Sequence, residues 1–493
     1  MSSGWQQRLD VLRRLIFERI NNPLQMHHWK TNVEAEIEDG EYIVMSATRG
    51  KITKRFAVLY TPSTSHGVYK RLASSVDSIF VNGQYKLEDF AQDLADRVTD
   101  VANFHRILIE WNNESTEGKF APTSGNDAPV IVGENTYRLI PAEDPIHSIW
   151  LRLRQFQSIT LAKKFLRKQL SWSGVEIVEA DLQEKAEGIA YCLRNAADYF
   201  QTTDRNLSQR ILNLYYGSMA FASAEIMAVS KGSRTLAEIE DRTKFGHGLY
   251  TIDGFGTGLE DLVMGVLNKG FFHAWMNALE VDASSFPESK PKKTEDLQKN
   301  CGTWISIRDL FASIPEVADL YTDIFDSPPR WMVAWPDRQP LLADAAQTYV
   351  MLLDKTGRIS KNVVGTMAGP IGEISEVQAQ IGRQFRVTVT HAQGQHWQTA
   401  LNLHSSPFQR NAFIQPVCGV VKDYRAICFV LLYGLSIVVR YRPRLWRSTQ
   451  EGDGDQMKIL IEAFLAVVER VLPEQFLQTL LAEKIIAGLP TRF

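Results

Sequence analysis

Arg242 and His247 stand out first, in the run Arg242-Thr-Lys-Phe-Gly-His247-Gly-Leu249. A histidine can take up and return a proton near neutral pH, and an arginine keeps its charge and grips phosphate oxygens in pairs. On a regular helix, residues five apart lie about 140° from one another, and Gly246 and Gly248 bracket the histidine, so the segment reads as a turn rather than a continuous helix. The competing reading has His247 capping a helix or bonded to a backbone carbonyl in this turn, and Arg242 paired with Glu238 or Asp241.

A second group is cationic and aromatic: Arg440, Arg442, Arg444 and Arg447, interleaved with Tyr441, Pro443 and Trp446. Guanidinium groups pair with phosphates and aromatic faces stack on unpaired bases, so the cluster suits RNA or another single-stranded nucleic acid. It equally suits a structural role, with arginines complementing the end of a helix and the aromatic rings packed beneath a loop. A third group, Arg49, Lys51, Lys54 and Arg55, would form a basic rim on a hairpin, fit for phosphate contact. Beside it, His27, His28, Lys30, Glu34, Glu36 and Asp39 raise a metal-dependent nuclease as a further alternative. The Glu-x-Lys or Asp-x-Lys tripeptide that restriction-endonuclease-like folds use is missing from this stretch.

Other histidines offer less. His396 and His404 share one parity but stand eight apart, about 26 Å at strand rise, too far to ligate one metal. His391 falls on the apolar side of its segment. Gly254, Gly256 and Gly258 precede a stretch, Leu259 to Leu267, that reads as a helix able to receive a phosphate, but no Lys-Ser or Lys-Thr follows. We expect no metal and no cofactor.

The elements that must carry these groups follow from hydrophobic period. Residues 1 to about 22 read as a helix stopped before Asn21-Asn22-Pro23. Val33, Ile37, Tyr42, Val44 and Phe56 to Tyr60, broken at Asp39-Gly40 and Arg49-Gly50, read as a small antiparallel meander. Lys86 to Trp111 reads as a helix. A polar stretch, Asn112 to Pro129, then separates an N-terminal α+β domain, residues 1 to 140, from a mainly helical one, residues 141 to 493. In the latter, helices are expected at Ile149 to Lys168, Ala180 to Phe200 and Leu207 to Val229, the last rich in small residues that let a neighbour approach. Period two returns between Thr348 and His404, where Phe385 to His391 and Trp397 to Leu403 suggest a hairpin. Helices at Cys418 to Arg440, Gln456 to Leu472 and, after Pro473, Glu474 to Ala487 close the chain. The fold class is therefore α+β.

Composition narrows the function classes. The 493 residues are 44% apolar and 23% charged, with 54 Lys and Arg against 57 Asp and Glu, which argues against a chain dominated by a polybasic surface or an acidic tail. Cys192, Cys301, Cys418 and Cys428 have no C-x-x-C spacing, and the amphipathic start is not a signal peptide, so a reducing, cytoplasmic setting is expected. The longest apolar run, Ala426 to Val439, is shorter than the roughly 20 residues a bilayer requires. No membrane is expected.

The order of the double tyrosine Tyr215-Tyr216, the Ser230-Lys231-Gly232 stop and Arg242-x4-His247 is similar to that of HEPN domains. More broadly, residues from about 145 to 493 resemble the YaaC-like bacterial proteins, through Phe156, Lys163-Lys164-Phe165-Leu166, Tyr215-Tyr216, Gly246-His247-Gly248-Leu249, Ile305 to Pro315, Leu432-Tyr433-Gly434-Leu435-Ser436, Arg440-Tyr441-Arg442-Pro443 and Trp446. The HEPN resemblance implies a metal-independent endoribonuclease, an effector against phage, with His247 as acid and base, Arg242 as phosphate clamp, and a site completed across a homodimer. The alternative is a non-enzymatic YaaC-like scaffold that binds a partner protein or nucleic acid through Arg440 to Arg447 or the N-terminal rim.

Overall fold

The computed structural model describes the chain except residues 1–3, 28, 37–40, 51, 64, 84–87, 115–136, 173–177, 203–204, 230–234, 301, 338–345, 368, 393–396, 453 and 489–493. The turns expected at Asp39-Gly40 and Gln393-Gly394, the Ser230-Lys231-Gly232 stop, most of the polar stretch after Asn112, Lys51, His28, His396 and Cys301 lie outside the described residues. The chain divides into two units, Met1–Val130 and Ile131–Phe493, and the fold is α+β.

The first unit is built on one five-stranded sheet in the order β1-β2-β3-β4-β5, with β1 Lys30–Glu36, β2 Tyr42–Arg49, β3 Ile52–Leu59, β4 Ser78–Val81 and β5 Val98–Asp100. The first three strands form the antiparallel meander that Arg49-Gly50 predicts; Gly50 takes φ +61° at its tight turn. The last two pair in parallel, through the helix His66–Ala73 between β3 and β4. This corrects the single helix expected over Lys86 to Trp111. That stretch is a short helix, Glu88–Ala91, then a 3-10 turn, β5, a second 3-10 turn and the helix Phe104–Glu114. Val98 has the spacing of a helix face, but pairing with β4 buries it in the sheet. The helix Gly4–Ile16 and Phe104–Glu114 cover one face, where Leu12, Ile20, Trp29, Phe56, Phe80, Phe104 and Trp111 form a core.

The second unit is organised by three long helices, Glu179–Phe200, Leu207–Ala228 and Tyr424–Tyr441, with Asp455–Leu481 against them. Small residues set the approach distance. A Cβ on Gly217 would stand 2.6 Å from the Phe200 ring, so Glu179–Phe200 and Leu207–Ala228 interlock only because that position is bare. Asn206 and Gln209 close a reciprocal capping box at the start of the second of these. Tyr424–Tyr441 is, among the described residues, the one helix long and apolar enough to cross a bilayer, and 78% of it is buried inside the protein. Burial of Phe429 and Leu432 in the main core gives its hydrophobicity a local use. Cys192, Cys418 and Cys428 are buried free thiols.

Three expectations fail here. The expected stop at Pro473 does not occur: one helix runs Asp455–Leu481 through the proline, and the chain then forms β15, Lys484–Gly488, paired in parallel with β6, Tyr137–Pro141. A proline inside a helix removes one backbone bond, and burial of Val471, Leu472, Phe476 and Leu477 around it outweighs that loss. Trp397–Leu401 is a helix, not a strand, because Trp397 and Leu401, one turn apart, both reach the core of a second five-stranded sheet. That sheet has the order β12-β13-β11-β10-β14, with β10 Trp331–Pro336, β11 Gln347–Asp354, β12 Ile371–Val377, β13 Arg383–Thr390 and β14 Ala412–Ile414. No helix forms at Leu259 to Leu267 either; β7 Leu249–Ile252, β8 Val263–Val266 and β9 Trp304–Ser306 form a small sheet there, and the three glycines precede a strand.

Candidate functional site

The helix Leu236–Lys244 ends just before His247, and the chain turns through Gly246 at φ +89° and Gly248 at φ +75°. The turn is fixed from below. Phe271 N–H donates to the Gly246 carbonyl at 3.1 Å and Phe272 N–H to the His247 carbonyl at 2.9 Å, so two amides at the start of the helix Gly270–Ala278, which lack partners within it, find them in the turn. A Cβ on Gly248 would stand 2.7 Å from the Lys269 carbonyl oxygen. The glycines are therefore what lets His247 sit where it does.

Its side chain is held against two tyrosines. His247 Nδ1 lies 2.8 Å from the Tyr215 hydroxyl, and its ring centroid is 5.8 Å from that of Tyr215 and 5.7 Å from that of Tyr433. Tyr433 is itself anchored, donating to the Leu249 carbonyl at 3.1 Å. Among the described residues nothing bonds to Nε2. Burial lowers the His247 pKa and the nearby Arg440 charge lowers it further, so the ring is neutral at neutral pH. Burial drives the Tyr215 phenol far upward, so it stays protonated and can meet either tautomer of the imidazole.

Arg440 is the cation of this cluster. It sits in the last turn of Tyr424–Tyr441, with Nε donating to the Ser436 carbonyl at 3.1 Å, Nη2 to Ser436 Oγ at 3.1 Å and Nη1 to the Tyr216 hydroxyl at 3.3 Å. Its guanidinium carbon is 5.9 Å from the Tyr215 ring centroid and 5.1 Å from that of Tyr441. Every one of these partners is neutral, so the charge is held in place without being cancelled. Tyr199 stacks on Tyr216 with centroids 5.8 Å apart.

Among the described residues no hydrogen bond or ion pair joins Arg242 and His247, and the charge that bears on the His247 ring is that of Arg440, 193 residues downstream. Arg242 is exposed, and its charge, after burial, depresses His273. Asp241 pairs instead with Lys244 at 2.5 Å.

The Arg440 to Arg447 cluster separates. Arg442 pairs with Asp253. Trp446 is 7% exposed and donates its indole N–H to Ser208 Oγ at 2.9 Å, so it packs rather than stacking on a base. Tyr441, 67% exposed, and the exposed Arg444 and Arg447 remain open on the surface. In the first unit, Arg49 donates to Asn112 Oδ1 at 2.7 Å; Arg55 pairs with Glu34 at 2.6 Å and bonds the Ser75 carbonyl. Lys54 is half-buried. Glu36 pairs with Arg13 at 2.6 Å. Two of the carboxylates considered for a metal thus face arginines, and among the described residues no three His, Cys, Asp or Glu side chains group as metal ligands would.

A different histidine holds a buried polar network of the second unit, which sequence reasoning did not anticipate. His404 Nε2 lies 2.7 Å from Glu316 Oε1, its Nδ1 3.0 Å from Gln475 Nε2, and its ring stacks on Tyr424 at 3.7 Å. Ser406 and Tyr424 hydroxyls also donate to Glu316, at 2.7 Å and 2.8 Å. His391 bonds Thr348 Oγ1 at 2.8 Å.

The YaaC-like Protein family model matches residues 154–480. The chain belongs to the YaaC-like family. The match begins just after the helix Pro145–Leu153 and ends within the last turn of Asp455–Leu481, so the YaaC-like region holds Tyr215, His247, Tyr433 and Arg440 together with the His404 network. No curated protein and no solved structure matches the chain. The signal for the cluster was present in the sequence as separate YaaC-like motifs; which of them meet was not.

Proposed function

We propose that the YaaC-like unit is a HEPN-related, metal-independent endoribonuclease acting through His247 and Arg440. The observation that carries this reading is an imidazole anchored through one nitrogen by Tyr215, with the other nitrogen unbonded among the described residues and an uncancelled guanidinium alongside. With Nδ1–H donated to the Tyr215 oxygen, Nε2 presents a lone pair. It takes the proton of a ribose 2'-hydroxyl as that oxygen bonds to the adjacent phosphorus; the bond from phosphorus to the 5'-oxygen breaks, and the imidazolium returns the proton to that oxygen. Products are a 2',3'-cyclic phosphate and a 5'-hydroxyl. Arg440 stabilises the charge that builds on the phosphoryl oxygens. Tyr441, Arg444 and Arg447 bring the strand in by stacking and phosphate contact.

The test is cleavage of labelled RNA and DNA with and without EDTA. RNA alone should be cut, chelation should leave the rate unchanged, and His247→Ala should abolish the activity; cutting that persists in His247→Ala removes the assignment, and loss in EDTA moves the chemistry to a metal. If cleavage serves defence against phage, cells carrying the wild-type chain should yield fewer plaques than cells carrying His247→Ala.

A further inference from the structure

A cavity of about 380 Å³ lies at the junction of β9, the helix Ile307–Ala312 and the chain after β14. Arg330 and Asp309 both line it, yet they make no ion pair with each other, and neither side chain has a hydrogen-bond or ion-pair partner among the described residues. Arg330 Nε is fully buried in that state. The arginine backbone is locked, its N–H donating to the Ala312 carbonyl at 2.8 Å and its carbonyl accepting from Gln415 N–H at 2.8 Å, so the guanidinium does not reach another partner by a shift of the main chain. Leaving a buried charged donor unmet is among the more costly arrangements in a folded protein and points to a partner supplied from outside.

The walls describe that partner. Gln415 Nε2 and Thr366 Oγ1, 3.3 Å apart, add a carboxamide and a hydroxyl. Trp304, its indole N–H tied to the Leu297 carbonyl at 2.9 Å, presents a ring held in place. Cys418, buried and at φ +47°, closes the floor in a backbone region that non-glycine residues enter rarely and that recurs at ligand sites. The cavity is the size of a small-molecule site.

We infer that this cavity binds a free α-amino acid, with the carboxylate on Arg330 and the ammonium on Asp309. One cation and one anion, facing the same space but not bonded to each other, are complementary to a small zwitterion and to neither a plain anion nor a plain cation. This site is independent of the His247 cluster.

The experiment uses the full chain in calorimetric titration and thermal unfolding against a panel of the free amino acids, with acetate and propionate as carboxylates alone and methylamine and propylamine as amines alone. At least one amino acid should bind saturably and raise the unfolding temperature, with the one-charge compounds weaker by on the order of tenfold or more. Arg330→Gln and Asp309→Asn should each weaken the amino acid by a similar factor. No binding by any member of the panel overturns the site. Carboxylates that bind as tightly as amino acids, with Asp309→Asn without effect, overturn the zwitterion. The selectivity of the wild-type chain is read without any variant, so a variant that fails to fold leaves the test intact.

Discussion

His247 and His404 sit in the same unit, each against a tyrosine ring, and they are bonded in different ways. His404 has both nitrogens engaged, by Glu316 and Gln475, and its side chain is 3% exposed against 1% for Glu316. His247 has one nitrogen held by Tyr215 and the other unbonded among the described residues. The charge next to His404 is a carboxylate bonded directly to it; the charge next to His247 is an arginine that depresses its pKa and bonds only neutral groups. A ring with both nitrogens bonded holds a fold together. A ring with one nitrogen bonded is oriented and still able to move a proton.

The largest test of this contrast exchanges the two losses. His247→Ala should lower RNA cleavage by on the order of 10²- to 10⁴-fold, the usual contribution of a positioned acid or base, while urea unfolding stays close to wild type. His404→Ala should do the reverse: it leaves the buried Glu316 carboxylate without the Nε2–H donor of His404, and a buried charged group that loses a hydrogen-bond partner costs about 1–3 kcal/mol or more. Equal stability losses in both variants would erase the distinction.

Next in size is the choice of cation. Arg440→Gln should reduce cleavage by about 10²-fold or more, as expected when a group that stabilises phosphoryl charge is lost, and Arg242→Gln should change it little. The opposite ranking would restore Arg242 as the clamp and break the cluster described here. Tyr215→Phe sharpens the same point: it leaves the ring packing and removes one hydrogen bond, worth about 1 kcal/mol, so cleavage should fall by roughly fivefold to tenfold.

What the sequence made legible divides along the same line. The long helices, the antiparallel meander, the turn at Gly246 and Gly248 and the YaaC-like motifs all rest on local pattern, and local pattern is readable. Pairing is not. Arg440 meets Tyr215 and Tyr216 because two helices cross, and Glu316 meets His404 across the small irregular segments at Pro315–Val317 and His404. The misread elements fail for one physical reason: Trp397–Leu401, Val98–Asp100 and the passage through Pro473 each follow tertiary burial where local propensity points elsewhere.

Acidity separates the two histidine environments without any mutation. His247 has a folded pKa below the 6.5 of the free side chain, from burial and then Arg440. As pH falls through 6.5 the unfolded chain takes the proton first, so stability is highest above that value and declines until the folded pKa is passed. The proposed base is protonated as pH falls through the folded value, so cleavage should show an acidic limb below 6.5. Glu316 behaves differently. Burial pushes its carboxyl up, but the hydrogen bond and charge of His404 and the hydroxyls of Ser406 and Tyr424 outweigh that and hold it below 4.5. Its contribution is complete above 4.5 and disappears as pH drops through the folded value. Unfolding midpoints in urea across pH 3.5 to 7.5 should therefore fall in two stages, the first of them removed by His247→Gln. A single stage unaffected by that substitution would contradict the burial of His247.

The smallest expected effect concerns Arg442, which belongs to the same cationic run as Arg440 but pairs with Asp253 at the surface, with 31% and 70% of the two side chains exposed. A pair this open is worth about 0–1 kcal/mol because water screens it and both side chains lose freedom in forming it. Arg442→Ala should thus leave stability within that margin, and raising the salt concentration should remove even that difference. If RNA enters past Tyr441, Arg444 and Arg447, the substitution should also leave cleavage nearly unchanged, because Arg442 is already occupied by a carboxylate, whereas Arg444→Ala with Arg447→Ala should weaken RNA binding and flatten its dependence on salt. An Arg442→Ala loss as large as that of the double substitution would mean that the Asp253 pair opens for the strand, and the division of the run into an anchored part and a free part would have to be redrawn.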